Sequence, residues 1–123
     1  MPARPLVFIT GASSGIGRAL AECYHRAGWR LALVARREFE IKSWADALGL
    51  SADSYEIYGA DVSQPDSIIA AGQACLARQG LPDVVIANAG ISVGMDTAER
   101  ADLDVMARVF ATNNLGLAAT FHP

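Results

Sequence analysis

A chain of 123 residues that is 52% apolar and 19% charged is long enough for one domain and too apolar to be disordered. Its formal charge of −3 excludes a general nucleic-acid or anionic-membrane surface, so any anion site must be local. No apolar stretch approaches the ~20 residues that a membrane-spanning helix needs, and Met1-Pro2-Ala3-Arg4-Pro5 leads into the first apolar run without room for a signal peptide.

Strand and helix patterns alternate along the chain. Leu6–Thr10 reads as a strand, and Ser14–Ala27 as a helix with Ile16, Leu20, Cys23, Tyr24 and Ala27 three and four apart. Gly28 stops that helix. Arg30–Ala35 is a second strand whose unbroken apolar run suits burial on both faces. Glu38–Leu48 is a second helix, again ended by a glycine. Tyr55–Tyr58 alternates around Glu56 and suits an edge strand. Ser63, Pro65 and Asp66 mark the start of a third helix that runs to about Gln79. Asp83–Ala87 is a fourth strand, Asn88–Thr97 a loop, and from Asp102 onward Leu103, Met106, Val109 and Phe110 share a helical face. Such a βαβαβαβα series predicts an α/β fold of three layers around a parallel sheet. Cys23 and Cys75 lack metal-ligand spacing. They read as buried helical thiols of a reducing, cytoplasmic setting, and no metal is expected. His25 and His122 form no site with them.

The chemistry gathers at strand ends. Residues 10–17 read Thr-Gly-Ala-Ser-Ser-Gly-Ile-Gly, directly after the first strand. A strand, a glycine-rich turn and a helix together hold a pyrophosphate. Glycine permits the tight bend and close approach, and the helix turns its free N–H groups and positive dipole end to the phosphates. An ordinary strand-to-helix turn is the alternative. The second strand ends Ala35-Arg36-Arg37, about 25 residues after Gly11. An NAD site places Asp or Glu near here for the ribose 2′-OH, whereas arginine suits the 2′-phosphate of NADP. One or two charge-assisted bonds, at ~1.5–3 kcal/mol each, shift cofactor preference roughly ten- to a thousandfold. Two solvated arginines are the alternative. Asp61 ends the third strand, where a carboxylate can accept from the adenine amino group or merely shape a turn. Asn88-Ala89-Gly90 ends the fourth, where small residues let the backbone lie against a cofactor.

Taken in order, these pieces resemble the short-chain dehydrogenase/reductase family. They are T-G-A-S-S-G-I-G at 10–17, A-R-R at 35–37, D-V at 61–62, N-A-G at 88–90 and N-N-L-G at 113–116. The glycine spacing is that of the compact branch, not the G-x-x-G-x-x-G of the extended branch. The resemblance implies a Rossmann-type doubly wound sheet of order 3-2-1-4. It also implies reversible hydride transfer between NADP(H), preferred over NAD(H), and an alcohol or carbonyl substrate. Gly11, Gly15 and Gly17 then form the phosphate turn, with Ser13, Ser14 and Ile16 adding backbone or hydroxyl contacts. Arg36 and Arg37 hold the 2′-phosphate, Asp61 and Val62 flank the adenine, and Asn88, Ala89 and Gly90 line the cofactor. Asn88 also steadies the central sheet. Asn113, in its N-x-x-G setting with Gly116, matches the asparagine that bends its helix around a relay water. A polar residue on a helix surface is the alternative.

The family's Ser and Y-x-x-x-K cannot be assigned. The only lysine is Lys42, and none of Tyr24, Tyr55 and Tyr58 has a lysine four residues later. The expectation is a partial dinucleotide-binding domain over residues 1–123, truncated after its fourth strand and fifth helix, and inactive alone. Val84-Val85-Ile86 would then form an exposed apolar edge prone to association. The complete form is expected to be a homo-oligomer. A non-catalytic dinucleotide sensor is the alternative function. A phosphoacceptor receiver would want clustered acids at strand ends, and only Asp61 qualifies.

Overall fold

The computed structural model describes residues 4–13, 15–88 and 120–121. Its elements run β1 (Leu6–Thr10), α1 (Gly15–Arg26), β2 (Arg30–Ala35), α2 (Glu38–Leu48), β3 (Tyr55–Gly59), α3 (Pro65–Arg78) and β4 (Val84–Ile86). The four strands form one sheet in the order β3-β2-β1-β4, parallel throughout. β1 pairs with β2 along its whole length, Leu6 to Thr10, but with β4 only from Val7 to Ile9. The element boundaries fall within a residue or two of those the sequence predicts. The loop expected over 88–97 beyond Asn88, and the helix expected from Asp102, lie outside the described residues apart from Thr120 and Phe121.

Both faces of the sheet are covered, which is why β1 and β2 are apolar without interruption. Val7, Ile9, Leu31 and Leu33 face α1 and α2, packing on Ala21, Ile41, Trp44 and Ala45. Leu6, Phe8, Ala32 and Val34 face α3, packing on Ile68, Ala71 and Cys75. Each fully buried Ile or Leu, such as Ile9 and Leu33, contributes roughly 1.5–3 kcal/mol. The α2 stripe Ile41, Trp44, Ala45 has the helical spacing of three and four, and Gly49 closes the helix in the left-handed region. The end of α3 is tied down by Gln79. Its Nε2 donates to the Leu31 carbonyl at 3.0 Å, and its Oε1 accepts from the Tyr58 hydroxyl at 2.9 Å. Burial, followed by Cys75 and Glu56 nearby, pushes the Tyr58 phenol above its ordinary range.

Three local expectations are corrected. Cys23 is exposed; only Cys75 is buried. The face that α1 buries consists of Gly17 and Ala21, flanked by half-buried Leu20 and Tyr24, so Ile16 points outward and is 71% exposed. Small residues at 17 and 21, one turn apart, let the helix close on the sheet and rotate the bulkier neighbours away. The third helix is not opened by a Ser63–Asp66 capping pair. Gln64 holds the cap position without a side-chain bond, because the Ser63 hydroxyl donates to Asp61 Oδ1 at 2.6 Å. Pro65 in the first turn does start the helix as expected.

Candidate dinucleotide site

The chain winds outward from β1 to β2 to β3 with α1 and α2 on one face. It then crosses the other face through α3 to place β4 on the far side of β1. The winding therefore reverses between β1 and β4. At such a switch point the carboxyl ends of two strands diverge and open a crevice for a ligand.

One wall of the crevice is the turn after β1. Gly11 and Gly15 have φ of +66° and +60°, a region that side-chain-bearing residues rarely adopt. Gly17 is buried for a different reason. A Cβ there would collide with the Gly11 carbonyl and stand 2.8 Å from Asn88 Nδ2. Ala12, between the turn glycines, has no exposed surface. Its N–H donates to the Val34 carbonyl at 3.1 Å and its carbonyl accepts from Trp44 Nε1 at 3.0 Å. The first turn of α1 carries no acid, so nothing there repels an anion from the helix dipole. Ile16 stands exposed on that same turn. Asn88, just past β4, forms the opposite wall and bonds across to β1. Its N–H donates to Thr10 Oγ1 at 3.0 Å and its Nδ2 to the Gly11 carbonyl at 3.4 Å.

A second group of residues follows β2 and β3. Ala35 is buried, and Arg36 is exposed with no hydrogen bond or ion pair among the described residues. Arg37 is engaged: its guanidinium reaches Glu40 Oε1 at 3.4 Å. Asp61 shapes a turn. Its Oδ1 accepts from both the N–H and the hydroxyl of Ser63, at 2.9 and 2.6 Å, and its carbonyl accepts from Gln64 at 2.9 Å. These bonds, chiefly the Ser63 hydroxyl, and the charge of Arg36 hold the Asp61 carboxyl below the usual carboxylate range, so it stays ionised at neutral pH. Val62 is buried in the core under α3. A hollow of about 270 Å³ opens beside the glycine turn, lined by Ser13, Arg18, Phe39, Glu40, Ser43 and Trp44. The structure thus gathers Gly11, Ser13, Gly15, Ile16 and Gly17 with Asn88 at the crevice, and Arg36, Arg37, Asp61 and Val62 at the neighbouring strand ends. Ser14, Ala89, Gly90 and Asn113 lie outside the described residues. Sequence reasoning missed Trp44 and Arg18, since an aromatic in the stripe of a helix reads only as core.

A strand, a turn whose glycines are required by conformation and contact, and an acid-free helix start, set at the switch point of a parallel sheet, define a nucleotide-binding α/β fold. Comparison with known proteins narrows the class. The family model for short chain dehydrogenases matches residues 5–122, and the chain belongs to that family of oxidoreductases. It is 39% identical over 118 residues to "Dehydrogenase/reductase SDR family protein 7-like" of Drosophila melanogaster, covering 93% of this chain and 36% of that protein. The alcohol dehydrogenase of the archaeon Thermococcus sibiricus, complexed with 5-hydroxy-NADP, superposes with a TM-score of 0.82 at 32% identity, over 96% of this chain and 50% of that one. The 3-ketoacyl-(acyl-carrier-protein) reductase of Brucella melitensis, complexed with NADH, superposes at 0.83 and 28% identity, over 94% of this chain and 46% of that one. The chain therefore spans about a third to a half of the relatives it matches. No helix among the described residues is long and apolar enough to cross a membrane.

Proposed function

We propose that this chain is the cofactor-binding portion of an NADP(H)-dependent oxidoreductase acting on an alcohol or its carbonyl counterpart. The residues present fit a dinucleotide. The close approach of Gly17 to the Gly11 carbonyl leaves the turn no room for a side chain, and the α1 N-terminus beside it is free of acids. Gly11, Ser13, Ser14, Gly15, Ile16 and Gly17 would hold the pyrophosphate, Asp61 and Val62 would border the adenine, and Asn88, Ala89 and Gly90 would line the remainder. When bound, the nicotinamide gives or accepts a hydride.

The observation that carries the choice of NADP(H) is Arg36. It follows β2 where an NAD site needs a carboxylate, Ala35 before it offers none, and its guanidinium makes no hydrogen bond or ion pair with another described residue, its charge acting on Asp61 only at longer range. Related structures hold both kinds of cofactor, an NADP derivative in one and NADH in the other, so fold alone does not decide. Asn113 would join a proton relay. The acid that would protonate the substrate oxygen is not assigned within residues 1–123: none of Tyr24, Tyr55 and Tyr58 has a lysine four residues later, and Lys42, the only lysine, is an exposed partner of Asp46 at 3.0 Å on α2.

Calorimetric titration with NADPH and NADH tests this reading. The unaltered chain is expected to bind NADPH more tightly, without carbonyl reduction. Arg36→Asp is expected to weaken NADPH roughly ten- to a thousandfold while leaving NADH unharmed. Preference for NADH in the unaltered chain, or indifference of NADPH to the substitution, would overturn it.

A further inference from the structure

We propose that Trp44 is a positioning residue for cofactor binding, acting on the glycine turn through the Ala12 carbonyl. The proposal rests on the dinucleotide reading of that turn. Ala12 is the point at which the turn is held from two sides. Its N–H is fixed by β2 through the Val34 carbonyl at 3.1 Å, and its carbonyl is fixed by α2 through the Trp44 indole at 3.0 Å. Gly11 and Gly15, which bracket this part of the turn, sit at positive φ, and the further tie on it is the longer Asn88 Nδ2 bond to the Gly11 carbonyl at 3.4 Å. Without the indole bond, the carbonyl would be a buried acceptor without its partner, and the turn could relieve it by shifting. A shift there misdirects the N–H groups at the start of α1, which follow Ala12 by a few residues.

The indole is itself held. Trp44 is only 4% exposed within the core cluster of β1, β2 and α2. The Arg18 guanidinium lies over its ring at 5.7 Å, anchored in turn to Glu22 Oε1 at 3.2 Å. Arg18 belongs to α1, so the stack joins the helix that presents its N-terminus to the crevice with the helix that holds the turn. A leucine or phenylalanine at 44 would fill the same apolar site but could not donate. The clamp acts on the shared pyrophosphate end of either cofactor, whereas Arg36 acts only on the 2′-phosphate.

The test compares Trp44→Phe with the unaltered chain. Well below its melting temperature, the variant is expected to bind NADPH and NADH about two- to tenfold more weakly, by the same factor for both. A lowered melting temperature with both affinities unchanged would show a purely structural tryptophan and overturn the proposal. A second measurement needs no change at 44. In Trp29→Phe, Trp44 is the only tryptophan of the chain, so its indole N–H gives the one indole resonance of the spectrum. That resonance is expected to move on addition of NADH, and a resonance indifferent to saturating NADH would overturn the clamp. Failure of the unaltered chain to bind either dinucleotide would remove the cofactor reading and this proposal together. Binding without an effect at Trp44 would remove this proposal alone.

Discussion

The turn after β1 and the polar cluster after β2 and β3 lie side by side but are built on different principles. The turn is defined by backbone: positive φ at Gly11 and Gly15, and the contact of Gly17 with the Gly11 carbonyl. Nothing in it can yield without moving the main chain. The cluster is defined by side chains, most of them exposed: Arg36, Arg37 and Glu38, with Asp61 behind them. The first is a device of shape, the second of charge. Shape devices tolerate almost no substitution, while charge devices can be retuned one residue at a time.

Two glycines make the contrast measurable, because an added Cβ overlaps a neighbour at both. At Gly17 the neighbour is backbone, and Gly17→Ala is expected to be the most damaging change in the molecule. It should destabilise by about 1–3 kcal/mol, as overpacked cores do, and abolish binding of NADPH and NADH alike. Chemical denaturation and calorimetry would read both effects. Wild-type affinity in that variant would mean that the turn is softer than its geometry. In the charge cluster, Arg37→Ala is expected to weaken NADPH only about two- to fivefold, well short of Arg36→Asp, because Arg37 is more than half exposed and already paired with Glu40. Equal losses at 36 and 37 would show that the pair with Glu40 breaks on binding. The smallest effect is expected at the second glycine. Gly59 at the end of β3 meets only the Glu38 side chain. That exposed carboxylate can swing aside, so Gly59→Ala should leave stability within about 0.5 kcal/mol of the original. A large loss would mean that Glu38 is fixed in place.

Most of the fold was legible because the sheet is buried on both sides. Unbroken apolar runs at residues 6–9 and 31–35 admit few other readings, and Glu56 in β3 marked the edge that the strand order confirms. The glycine turn was legible because its backbone conformation and close contacts admit glycine alone at 11, 15 and 17. Other features depend on partners that spacing does not reveal. The outward turn of Ile16 and Cys23 follows from how closely α1 sits on the sheet, which small residues at 17 and 21 decide. Ser63 satisfies a helix-start pattern locally, but its hydroxyl finds the stronger acceptor in Asp61. The amide of Gln79 and the indole of Trp44 each bond to a carbonyl far away in sequence, Leu31 and Ala12 respectively. No periodicity encodes such pairs.

The pairing of β1 with β4 extends only from Val7 to Ile9, the shortest seam in the sheet, and the crevice straddles its upper end. A molecule lodged there would touch the turn of one strand and the tip of the other, and so act as a staple across the weakest join. Mass action then couples occupancy to the folding equilibrium: at a hundred times its dissociation constant, such a ligand adds about 2.7 kcal/mol. The supply of dinucleotide in the surroundings would thereby help to set how much of this chain is folded at all.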